Sequence, residues 1–327
     1  MLRDWLRDRL LAWFTFAIIL MIFSEWIVWQ TPTTYTPLEW LGMAAVYLAL
    51  AGLTLDLMAR LHANDIFSLL LVAGLYGLMN ALLISHIDVH DLPTSLLIRP
   101  LGAQPLAFMG ALASFQILTS GRATGPIDLI IAAFAGFLWG IWVRWFPVVA
   151  DDTIPTVASG YAMAAVGTGL LFFGALRMAV PLTGISRRGD WMLWSFERWL
   201  VGGILAVALV IGLVRGTISP VVIGLVLLLG SFMVAVSLIT LKKRRRRALL
   251  LASMTPPHRP NLAAWVILIV PFLILGWLGY HLPGSGDSSP QSDLLFGILL
   301  GFGLIWLPAV STVLGVRAFI ELARESG

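Results

Sequence analysis

The sequence predicts an all-α, polytopic integral membrane bundle of about ten transmembrane helices, with both termini on the cytoplasmic side. Three observations carry that expectation. Of 327 residues, 59% are hydrophobic and 12% are charged, with a mean hydropathy of +0.92, whereas about a quarter of the residues in a soluble domain are charged. Ten apolar runs approach or exceed the roughly 17–25 residues that a helix needs to cross a bilayer. The cations fall almost entirely on one side of the topology those runs imply.

Taken in order, the runs are Leu10–Trp29, Leu38–Met58, Ile66–Ser85, Leu101–Leu118, Ile127–Trp145, Val157–Met178, Trp199–Val214, Ile218–Leu241, Leu262–Tyr280 and Leu294–Val316. The first follows a charged start, Arg3 to Arg9, as a signal peptide would. It is too long for a cleavable apolar region and ends in Ser24-Glu25-Trp26 without a small-x-small site, so it reads as a retained signal anchor. The seventh is short, and Trp191-Met192-Leu193-Trp194 is expected to lie at the interface and lead into it. All ten belong to one membrane domain, in which residues 1–150 carry the first five helices and residues 151–327 the second five. The first half is polar on its outward side. The second is mostly apolar.

Alternating the loops between the two sides places eighteen of the 21 Lys and Arg inside. Only Arg99, Arg144 and Arg215 are left outside. The positive-inside rule therefore favours ten spans in a plasma or inner-type membrane. The densest cationic stretch is Lys242-Lys243-Arg244-Arg245-Arg246-Arg247, directly after the eighth run. Each cation near an anionic leaflet contributes about 1 kcal/mol, so this run is expected to contact lipid headgroups. The net charge of +4 and pI near 9.8 are explained by the same bias and call for no nucleic-acid partner. Membrane lipid, and other membrane subunits, are the partners the composition suits.

No loop is long enough for a soluble domain. The inner loop Ala248–Asn261, with its Pro256-Pro257 and Pro260, reads as an extended tether. Gly136 with Gly140, and Gly297 with Gly301, form small-xxx-small steps that let helix backbones approach closely. Pro271 and Pro308 lie inside the ninth and tenth runs, where proline can kink a helix. Trp26, Trp29, Trp40, Trp145 and Trp199 fall at run ends, as aromatic anchoring at the interface expects.

Charges inside spans are the default functional candidates. Asp56 has Arg60 four residues on, the spacing of a helical ion pair. Asp128 sits at a helix start, where a carboxylate is favourable. Glu25 is different, because it lies about 6 Å below the outer end of the first run. Asn80 is at similar depth in the third, while Glu39, His86 and Arg144 sit at outer ends. These five form a candidate outward-facing polar site, with Glu25 and Arg144 as an expected ion pair. The outer loop His86-Ile87-Asp88-Val89-His90-Asp91 adds two imidazoles and two carboxylates. On a continued helix His86 and His90 share a face, so His86, Asp88, His90 and Asp91 form a weak candidate zinc site.

The missing motifs narrow the chemistry. There is no cysteine, hence no disulfide and no thiolate ligand. No histidine falls within the hydrocarbon layer, which argues against a b-type haem, and no P-loop is present to bind ATP. No ionisable residue lies near a midplane, which counts against a carrier coupled to ions through buried carboxylates. Ten spans in about 300 residues is similar in count and length to drug/metabolite-type exporters built from two five-helix repeats. No convincing repeat links residues 1–150 with 151–327, so no family is assigned. Three functions follow: a small-molecule transporter first, a non-catalytic subunit or scaffold of a membrane complex second, and an outer-leaflet enzyme using the His86–Asp91 loop third.

Overall fold

A computed structural model of the chain describes residues 2–28, 36–61, 63, 65–85, 87, 89–120, 124–150, 158–180, 191–241, 261–283 and 290–325. Among these residues the regular structure is helical, and ten helices are long and apolar enough to cross a bilayer. They are span 1 (Arg7–Val28), span 2 (Pro37–Arg60), span 3 (Ile66–Ser85), span 4 (Thr94–Thr119) and span 5 (Pro126–Arg144). Span 6 (Ser159–Ala179), span 7 (Ser195–Val214), span 8 (Pro220–Leu238), span 9 (Leu262–Tyr280) and span 10 (Asp293–Ile320) complete the set. The chain is a polytopic helical membrane protein.

Several starts are capped by residues whose roles are local. The first-turn N–H groups of a helix have no partner within it, and lipid supplies none. Asp65 and Ser68 cap span 3 reciprocally, at 2.9 and 3.2 Å. Asp128 reaches back to the Gly125 N–H (2.9 Å), Glu197 to the Trp194 N–H (2.7 Å), and Asn261 accepts from Ala264 (3.0 Å).

Two boundaries differ from the expectation. Span 4 begins at Thr94 rather than Leu101, because a π-helical segment, Arg99–Ala103, carries the helix through Arg99 and Pro100. Arg99 therefore belongs to a span and not to the outer loop. Span 7 begins at Ser195, and of the residues leading into it Trp191 and Leu193 are buried while Trp194 is exposed. The Leu193 N–H donates to Asp56 (2.7 Å), which also holds Arg60 at 2.7 Å. The expected helical ion pair thus doubles as an anchor for the chain entering span 7.

The described helices fall into two compact units that interleave along the sequence. One comprises residues 1–40, 110–184 and 256–298, the other residues 41–109, 185–255 and 299–327. Unit 1 holds spans 1, 5, 6 and 9 with the last part of span 4. Unit 2 holds spans 3, 7 and 8, nearly all of spans 2 and 10, and the first part of span 4.

Unit 1 is built on the joint between spans 5 and 9. A Cβ at Gly136 would fall on the Phe272 carbonyl, one at Gly140 on the Gly276 carbonyl, and one at Gly279 on the Phe137 carbonyl. Backbone therefore meets backbone, as the Gly136–Gly140 spacing predicts. Trp139 stacks on Phe272 with ring centres 5.2 Å apart. Span 9 also meets span 6 through Trp265, which donates its indole N–H to the Leu170 carbonyl (2.8 Å). Span 1 meets span 5 through Trp142, which donates to the Val28 carbonyl (2.8 Å), and span 4 through Phe16 against Phe115 (5.3 Å).

Unit 2 has its own backbone joint, between spans 4 and 10. A Cβ at Gly303 would fall on the Leu97 carbonyl, and one at Gly102 would stand 2.8 Å from that oxygen and 2.9 Å from the Leu299 oxygen. Trp306 donates to the Leu101 carbonyl (2.7 Å) and lies against Gly74 of span 3. The glycines expected to pack in span 10 do not: Gly297 and Gly301 face open space, and Gly303, outside that spacing, makes the contact. Spans 3 and 8 pack together, and spans 7 and 8 join through a turn at Gly216, whose φ of 70° suits glycine.

Under one renumbering six spans keep their unit and the two glycine joints exchange. Adding five to each span number of the first half pairs 1 with 6, 2 with 7, 3 with 8, 4 with 9 and 5 with 10. Spans 1 and 6 are both in unit 1, and spans 2, 3, 7 and 8 are all in unit 2. The joint 5·9 of unit 1 becomes 10·4, the joint of unit 2, and both are glycine-to-carbonyl contacts. Within unit 1, the 6·9 contact becomes 1·4, which is also made.

Candidate functional site

The five polar candidates do not share one environment. Glu25 lies in unit 1, inside a π-helical segment, Ile22–Val28, and is 2% exposed. π-Helical turns widen the backbone ladder and are often found at functional positions. Here the widened turn ends at Val28, whose carbonyl is taken up by Trp142.

Arg144, half-buried at the end of span 5, donates one guanidinium nitrogen to two carbonyls, Tyr280 (2.9 Å) and Leu282 (2.8 Å). Its cation lies 5.9 Å from the Tyr280 ring centre. Those carbonyls close span 9, and a cation at a helix C-terminus is favourable there. Arg144 thus fastens span 5 to span 9 at one end of the joint that Gly136 and Gly140 make.

Glu39 is half-buried and forms a capping box. Its carboxylate accepts from the Thr36 N–H and hydroxyl, both at 2.9 Å, while Thr36 accepts from the Glu39 N–H at 3.4 Å. His90 and Asp91 are exposed, and among the described residues no three His, Cys, Asp or Glu gather into a metal-holding group. His86 and Asp88 lie outside the described residues, as does the run from Lys242 to Arg247.

Asn80 stands in unit 2 and is fully buried at 0% exposure. Its amide nitrogen donates to the Tyr47 hydroxyl of span 2 (3.0 Å) and the Tyr76 hydroxyl of span 3 (3.4 Å). Its oxygen, also buried, has no hydrogen-bond partner among the described residues. Tyr76 in turn packs on Phe108 of span 4, with ring centres 5.2 Å apart. Tyr47, Tyr76 and Phe108 are each at most 1% exposed and each falls near the middle of its span. Span 3 turns π-helical immediately after Asn80, over Ala81–Ser85. Three spans thereby bring Tyr47, Tyr76 and Phe108 together near their middles, with Asn80 one turn nearer the end of span 3. The tyrosines were missed in the sequence because a single Tyr in an apolar run counts as apolar. The signal that would have found them is Tyr76 and Asn80 at i, i+4 on one face.

A second buried polar feature belongs to unit 1. Arg177 of span 6 is 2% exposed and donates to the Thr119 hydroxyl (3.3 Å) and the Val180 carbonyl (2.8 Å). Both acceptors lie at or just beyond the ends of helices, where carbonyl dipoles favour a cation. Comparison with protein-family models, with curated proteins and with solved structures gives no match.

Proposed function

We propose that this integral membrane protein is a small-molecule transporter built from two five-span repeats of opposite orientation, spans 1–5 and 6–10. The observation that supports it is the equivalence of packing under the five-span shift, above all the glycine joints 5·9 and 4·10. An odd number of spans per repeat turns the second repeat over in the bilayer, which is the architecture many secondary transporters use for alternating access. Each unit draws helices from both halves of the sequence, and the buried polar groups at depth, Glu25 in one and Asn80 in the other, are what a solute path needs. The cation distribution favours a plasma or inner-type membrane with cytoplasmic termini, and the Lys242–Arg247 run then meets anionic headgroups of the inner leaflet.

The chain has no cysteine, so a single introduced thiol reports alone. A transporter must open the buried Asn80 cluster to water in part of its cycle. Asn80→Cys, or Tyr47→Cys if the first variant folds poorly, is expected to react with a small charged methanethiosulfonate in sealed vesicles. Leu71→Cys, equally buried on span 3, is expected to stay unreacted. Cluster thiols that remain unmodified from both sides, while Val89→Cys in the loop reacts, would remove the transport reading.

A further inference from the structure

We infer that Tyr47, Tyr76, Asn80 and Phe108 form a binding subsite for an uncharged solute that carries a hydrogen-bond donor beside a flat apolar group. This deepens the transport reading and rests on it. The argument begins with Asn80. A primary amide has two donors and an acceptor oxygen with two lone pairs. The donors are used, by Tyr47 and Tyr76, while the oxygen is sealed from solvent and accepts nothing from the described residues. A buried polar atom left in that state costs about 1–3 kcal/mol, and in a membrane protein there is no surrounding water to relieve it. An N–H or O–H arriving with a solute would recover that loss. The two tyrosine hydroxyls fix the amide plane, so the oxygen is aimed before the solute arrives.

The remaining surroundings set the rest of the solute. The Tyr76 and Phe108 rings offer aromatic surface next to the amide, and all the hydrogen bonds that define the cluster join neutral groups. The buried carboxylate of unit 2, Asp56, is nine residues beyond Tyr47 along span 2, about 13 Å by the helical rise, and is occupied by Arg60 and Leu193. Arg99 adjoins Pro100, whose carbonyl lies against Gly77, one turn before Asn80, so the nearest described charge on span 4 is a cation. A cationic solute would meet like charge there, an anion would bring no donor to the orphan oxygen, and an uncompensated buried charge is expensive. A trapped water, held by the orphan oxygen and a tyrosine hydroxyl, is the plain alternative, and probe binding separates it from a solute.

The test uses the purified full chain in lipid nanodiscs and three probes of one shape: benzamide, N,N-dimethylbenzamide and benzoate. Benzamide carries the donor, its dimethyl analogue only an acceptor, and benzoate a charge. Saturation-transfer NMR, with empty nanodiscs subtracted, is expected to show benzamide binding at least about tenfold more tightly than either analogue. Asn80→Leu is expected to abolish that preference. Tyr76→Phe, which keeps the ring and removes one hydroxyl that orients the amide, is expected to weaken benzamide about threefold and guards against a folding defect in the first variant. Turned over, the amide would present its donor, and the dimethyl analogue would then bind best. That result overturns the inference. So do equal binding of all three, no binding of benzamide, or benzamide binding that neither substitution changes. A reactive Asn80→Cys without benzamide preference would leave transport standing and remove the subsite alone.

Discussion

The two units solve the same packing problem and keep opposite kinds of polarity. Unit 1 buries charge: Asp8, Arg9, Glu25 and Arg177 are each at most 2% exposed. Unit 2 buries mainly neutral groups, Tyr47, Tyr76, Asn80 and Thr54, and its buried carboxylate, Asp56, is bonded twice. Yet each is closed by one glycine joint in which backbone meets backbone. The difference teaches that the joint is the architectural constant and the polarity is the variable.

The largest expected effects fall on the joints themselves. Gly140→Val in unit 1 and Gly303→Val in unit 2 each drive a Cβ onto a partner carbonyl, so a backbone must move. Each is expected to cost about 3 kcal/mol or more, read as loss of protein from the membrane and earlier unfolding in a detergent titration. Equal losses sharpen the equivalence of the joints. A harmless Gly303→Val beside a destructive Gly140→Val would break it.

Smaller effects test the polar side. Asp56→Asn weakens the bond to Arg60, which is 39% exposed on its side chain, but keeps an acceptor for the Leu193 N–H. The expected loss is about 1–2 kcal/mol in the same titration, discounted because Arg60 is partly solvated. The smallest concerns the indoles. Trp265→Phe in unit 1 and Trp306→Phe in unit 2 keep an aromatic ring and remove the N–H to Leu170 or Leu101. Each is expected to cost about 1 kcal/mol or less. A much larger loss at Trp306 would mean that the π-helical turn holding Leu101 depends on it.

What could be read in the sequence was what is local. Ten spans follow from hydropathy, the Asp56–Arg60 pair from i, i+4 spacing, the Asp128 cap from position, and the Gly136–Gly140 contact from its period. What could not be read depends on partners far along the chain. Gly303 packs because Leu97 lies opposite, whereas Gly297 and Gly301, with the better spacing, face nothing. Trp199 is 83% exposed, as interfacial anchoring allows, whereas Trp142, Trp265 and Trp306, which no local pattern singles out, are buried and bond to carbonyls of neighbouring spans. Asn80 and Glu25 are buried, as their depth within the runs implies, whereas the Glu39 carboxylate closes a helix start. The interleaving of the units has no sequence signal, because the helices exchanged are alike in composition.

The turn at Gly216 carries one more consequence. Only Arg215 to Ser219 separates spans 7 and 8, and the turn closes on itself, with Gly216 and Thr217 donating to Leu213 and Gly212 (both 3.0 Å). Five residues in a closed turn cannot tether two helices that stand far apart in the bilayer. Spans 7 and 8 therefore form one tight hairpin, and a single arginine is the whole cationic load of its turn. The pairing of these two spans is written, at that point, into the left-handed backbone of one glycine.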